Sequence, residues 1–126
     1  MDDHENRRRE VAELVSIAYT LTAKILDLLP IPISIPVVID REWGAGEASQ
    51  ALIRSQALVI DLPIEDEVKT LIYQMILDWQ VALAFAALDQ ARPSRWRLDC
   101  AEYAVARLEA QAEVVTEKLT AGTESE

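Results

Sequence analysis

An α+β fold dominated by helices is what this sequence predicts, with three main helices packed on a small two- or three-stranded antiparallel sheet. Three observations lead there. Long segments place apolar residues three and four apart, the mark of helices that each bury one stripe. Between the first two such segments lies IPISIPVVID, whose apolar residues alternate and are mostly β-branched, as in a strand. The glycines of EWGAGEASQ then mark a turn before a second extended run, SQALVIDL, at 55–62.

The first helix is expected from about Glu10 to Leu29, with Val11, Leu14, Val15, Ala18, Leu21, Thr22, Ile25 and Leu28 on its stripe. Pro30 and Pro32 end it, because proline cannot donate a backbone hydrogen bond and disfavours helical geometry in the residue before it. The strand that follows shows Ile33, Ile35, Val37 and Ile39 to one side, and Pro36 makes it an edge or bulged strand. ASQALIR is either extended or one short helical turn, and the run after it can pair with the first strand as a hairpin that helices must cover.

Pro63 followed by Glu65, Asp66 and Glu67 places negative charge where a helix N-terminus favours it, so a second helix runs from there to about Gln90. Val68, Leu71, Ile72, Met75, Trp79 and Ala82 share one stripe, while Tyr73, Ile76, Leu77, Val81 and Phe85 populate the other sides; a helix this apolar all round is expected at the centre. Pro93 breaks the run and Ser94 is placed to cap a third helix carrying Leu98, Ala101, Ala104, Val105, Leu108, Ala112, Val115 and Leu119. One globular domain over residues 1–120, with a disordered acidic tail at 121–126, accounts for all 126 residues.

Composition narrows the function classes. Half the residues are hydrophobic and about a quarter charged, which suits a soluble globular chain, and the formal net charge of -10 argues against direct binding to nucleic-acid phosphate. It suits a basic protein partner, or solubility alone. A lone cysteine, Cys100, excludes an intramolecular disulfide and a cysteine metal cluster, which points to a reducing cytoplasm; its expected role is that of a small buried hydrophobe. The N-terminus, MDDHENRRRE, is charged where a signal peptide would be apolar, and no apolar run is expected to reach the length of a membrane span.

The order helix, strands, long helix, helix, with ALVIDLPIEDEVKTLIYQMILDW at its middle, resembles a minimal zinc-peptidase (zincin) core. The closest comparison is with the phage-repressor-cleaving and SprT-like metallopeptidases, whose active-site helix carries His-Glu-x-x-His. Tyr73, Gln74 and Leu77 stand at the positions of the first histidine, the glutamate and the second histidine. Zinc needs imidazole, thiolate or carboxylate ligands one helical turn apart and a carboxylate to take a proton from bound water, and these three supply none. His4, the one histidine, lies in a charged segment expected to fray, so it cannot rebuild the site. The resemblance therefore implies a peptidase core kept for binding, without a metal or other cofactor.

Glu67, Thr70, Gln74 and Asp78 recur at three- and four-residue steps and form a polar seam on the central helix. The seam either faces water, is satisfied by the basic knot of Arg92, Arg95 and Arg97, or lines a groove. Trp43, in the glycine turn, and Trp96, between two arginines, are candidate contact residues, since exposed aromatics beside arginine are enriched in interfaces; Trp79 belongs to the core stripe. These residues support a non-catalytic, protein-binding regulator or inhibitor, of the kind a phage or mobile element uses against a larger machine. Pairing of the long apolar helices across a two-fold axis would also give a homodimer. Two other classes remain: a hydrolase, either metallopeptidase-like with a degenerate or unconventional site or using carboxylates from among Asp61, Asp66, Glu67, Asp78, Asp99 and Glu102, and a nucleic-acid mimic whose acids occupy a basic groove.

Overall fold

Four helices, and no strand among the described residues, make up the computed structural model, which describes residues 3–35 and 45–124. α1 spans Asp3–Asp27, α2 Ala45–Ile60, α3 Asp66–Ala91 and α4 Arg95–Glu124. The fold is all-α, and the expected α+β class with its antiparallel hairpin is wrong.

The error has a physical source at 45–60. Read at period two, the run ALVID suggests a strand; read at helical spacing, Ala48, Leu52, Ser55 and Val59 fall on one side, and all four are buried. Ala, Gln, Leu and Arg are strong helix formers, and they fill most of the segment. Ser55, the polar member of the stripe, satisfies its hydroxyl by donating to the Ala51 carbonyl at 2.9 Å. The first expected strand is not formed at 33–35: the Ile33 N–H instead donates to the Leu26 carbonyl at 3.0 Å, meeting one of the orphan acceptors at the end of α1. The remainder of that strand, 36–39, lies outside the described residues.

The other three helices follow their stripes. α1 begins seven residues earlier than expected, so His4 sits within a helix. Just past the end of α1, Leu29 is buried and Leu28, placed on the stripe by its spacing, is exposed. α4 buries the seven stripe residues from Leu98 to Val115 and keeps a helical backbone to Glu124.

α3 is central: it packs against α1, α2 and α4, and runs antiparallel to each. Asp78 lies against Arg107 and Phe85 against Trp96 along α4, Trp79 lies against Val15 of α1, and Ser49 of α2 donates to Gln80 at 2.7 Å. Trp79 is the pivot. Its indole N–H donates to the Val15 carbonyl at 2.9 Å, and its ring meets Tyr19 at 5.6 Å between centroids. Burial pushes the Tyr19 phenol up to about 12.

The ends of the bundle are pinned by a carboxylate that sequence reading passed over. Asp89, fully buried, accepts from the Ser94 backbone N–H at 2.8 Å, from Arg8 Nε at 2.8 Å and from His4 Nε2 at 3.0 Å. It joins the start of α1 to the α3–α4 corner. Beside it, Arg7 pairs with Asp99 and Glu102 of α4. Burial opposes ionisation of Asp89, but the Ser94 N–H, Arg8 and His4 outweigh it and hold the carboxyl below its ordinary range.

Candidate functional site

α1, α2 and α4 take up one side of α3 and leave the other to solvent. Tyr73, Leu77, Val81 and Leu88 project from that outer side at helical spacing and are 37, 46, 43 and 50 % exposed. Thr70 and Gln74 are exposed beside them, and the central outward positions carry no charge. A solvated helix face ordinarily carries charge here.

The strip continues onto α4. Trp96 and Tyr103 are the most exposed aromatics among the described residues, at 55 and 67 %. Trp96 is held from two sides: its ring meets the edge of Phe85 at 5.9 Å, and the Arg97 guanidinium lies 5.0 Å from its centroid. Arg97 is itself fixed, donating to the Arg92 carbonyl and the Ser94 hydroxyl. Ser94 thus accepts from a side chain where the sequence suggested a backbone cap. Between the two helices runs an open groove of about 550 Å³, lined by Val81, Phe85, Cys100, Tyr103 and Ala104 and by the charged Asp78, Asp99 and Arg107. Cys100 is only partly buried there, which corrects its reading as a core residue.

At one side of this groove lies Asp78. Burial raises its carboxyl above the ordinary range, while the Arg107 charge and Gln111 pull the other way. Arg107 Nε stands 3.7 Å from Oδ2, at ion-pair but not hydrogen-bond distance. The expectation that Arg92, Arg95 or Arg97 satisfies this acid is therefore wrong; those arginines sit at the α3–α4 corner and Arg107 meets it from mid-α4.

The predicted seam does not act as one unit. Glu67 is exposed and pairs with Lys118 at 3.0 Å, Thr70 donates back to the Asp66 carbonyl, Gln74 is exposed, and Asp78 is mostly covered. Arg92 and Arg95 are exposed, without an ion pair among the described residues. Trp43 lies outside the described residues. Sequence reading missed Tyr73, Leu77, Val81 and Tyr103 as surface residues. The signal was there, in a helix apolar on every side, but it was read as evidence of a fully enclosed helix.

Among the described residues, no three or more His, Cys, Asp or Glu gather as metal ligands. The sheet on which the peptidase resemblance depends is not formed by residues 45–60, which are helical. α3 also corrects the expectation about apolar length: it is long and apolar enough to cross a membrane, with a mean hydropathy of 1.5 over its most apolar 18 residues. Its inner side is packed against three helices, and 28 % of that apolar window is buried within the chain.

No family model, curated protein or solved structure matches the chain.

Proposed function

We propose that this protein is a non-catalytic protein-binding module that acts through the outer face of α3 and the adjoining aromatic edge of α4. One observation carries the reading: Tyr73, Leu77 and Val81 of α3 and Trp96 and Tyr103 of α4 put three exposed rings beside an uncharged helix face in a chain of net charge -10, although single aliphatic residues such as Ile17, Ile53 and Leu58 are exposed elsewhere. Fully burying an aromatic removes about 150–250 Å² from water, so the three rings alone leave some ~240–400 Å² for a partner to cover. With Leu77, Val81 and Leu88 added, the surface passes the size at which apolar patches on monomers are usually functional. Tyr, Trp and Arg are also the residue types that carry most binding energy at interfaces.

A regulator or inhibitor that docks a larger protein fits this surface better than nucleic-acid mimicry, which would place acids, not rings, at the centre of the contact. Capture of partners from the native host by tagged protein, compared with Leu77→Asp and Trp96→Ala, tests the reading. A stoichiometric protein partner retained at high salt and lost with either variant is expected. A partner kept by both variants, or released by salt alone, would overturn it.

A further inference from the structure

We infer that the outer face of α3 is a seam between two copies of this chain, paired antiparallel about a two-fold axis between Leu77 and Val81. The inference rests on reading this face as a protein interface and names its occupant.

The argument comes from how charge is arranged around the strip. Glu65 and Asp66 stand exposed at the start of α3, and Arg92 and Arg95 stand exposed just past its end. Asp66, Arg92 and Arg95 have no ion pair among the described residues, and Glu65 acts on Lys118 of α4 at charge range without a direct pair. The apolar strip lies between them, and along α3 itself the midpoint between Asp66 and Arg92 falls at position 79, between Leu77 and Val81, while Arg95 opens α4 beside that end. A second copy laid antiparallel thus sets Leu77 against Val81 at the centre, and acids against arginines at both ends. A parallel copy sets acids on acids and arginines on arginines. This matching to its own reverse is the requirement of a two-fold interface, where each residue pair occurs twice, and an unrelated partner would not impose it.

Area and electrostatics agree. The exposed rings of Tyr73, Trp96 and Tyr103 by themselves supply a third to a half of the ~800 Å² per partner of a standard interface, before any aliphatic side chain is counted. Two chains of charge -10 repel, but at physiological salt that repulsion is screened beyond about 8 Å, and the outward positions of α3 from Thr70 to Leu88 carry no charge, the charged neighbours Asp99 and Arg107 lying on α4. Antiparallel helices also oppose their dipoles favourably.

Cysteine cross-linking in a Cys100→Ser background reads out both the pairing and its direction. Val81→Cys, close to the axis, is expected to oxidise to a covalent dimer. Thr70→Cys is expected not to, because its two copies would be about 28 Å apart along the seam. Cross-linking of both would show a parallel pair and overturn the arrangement. Leu77→Asp is expected to weaken self-association at least about a hundredfold, by forcing a carboxylate into the contact. Reversing Glu65 and Asp66 to Arg should weaken it about fivefold, and adding Arg92→Glu and Arg95→Glu should restore it.

A chain that sediments as a monomer at high micromolar concentration, with no cross-link at Val81→Cys, overturns the inference. If Leu77→Asp then still abolishes capture of another protein, the interface reading stands without self-pairing. If that variant changes nothing, both fall.

Discussion

The inner and outer faces of α3 are built from nearly the same residue types and have opposite surroundings. Ile72, Met75, Ile76 and Trp79 are enclosed by three helices, while Tyr73, Leu77 and Val81, each one or two positions away in the chain, stand in water. Apolar character therefore does not by itself report enclosure in the monomer. On the interface proposed above, it also marks a surface that a second molecule covers.

The two faces should separate most sharply when each is cut back. Trp79→Ala removes a buried ring and its hydrogen bond to Val15, and is expected to cost about 3–5 kcal/mol of folding stability. Leu77→Asp, on the outer face, should leave monomer stability within about 0.5 kcal/mol. Urea unfolding of both variants below the association concentration measures the contrast; similar losses would mean that the outer face is part of the monomer core.

Asp89 and Asp78 sharpen the comparison, because one acid on the helix is satisfied and the other is not. Asp89→Asn should cost about 2–3 kcal/mol, less than a fully buried pair, since His4 and Arg8 keep roughly a quarter of their side-chain surface in water. Its folded-state value lies below the ordinary 3.8, so its contribution is present above pH 3.8 and fades as pH falls through the lower folded value. The gap between wild type and Asp89→Asn should accordingly stay constant from neutral pH to about pH 5 and close in stronger acid.

Asp78 has the opposite sign. Its folded-state value is raised, so ionisation is penalised as pH rises through that value, and Asp78→Asn should be neutral or slightly stabilising at pH 7, by up to about 1 kcal/mol. A loss above about 2 kcal/mol would show that the Arg107 pair outweighs the cost of burial.

The smallest effect is expected from Glu67→Gln, which removes the exposed pair with Lys118 and should not move the unfolding midpoint measurably.

Three of the four helices were legible in the sequence because their apolar residues keep helical spacing over at least four turns, and proline marks their junctions. α2 was not. It is short, its last residues form a continuous apolar run, and an adjacent β-branched segment suggested a strand partner. The register that identifies it uses Ala48 and Ser55, which carry little apolar signal.

The site was legible in part. Trp96 was singled out and is exposed, and Asp78 was singled out but meets Arg107, a partner set by the antiparallel register of α3 and α4 that spacing alone does not show. Asp89 was passed over because its charged partners, His4 and Arg8, lie at the far end of the chain and its local partner is only the backbone N–H of Ser94.

Sedimentation equilibrium of wild type and Leu77→Asp, over a concentration series from nanomolar to high micromolar, tests the central claim that α3 has a second buried face. Twice the chain mass for the wild type and a single chain mass for the variant is the predicted result. A single chain mass for both at every concentration, with no captured protein that Leu77→Asp loses, would show that the outer face of α3 covers nothing.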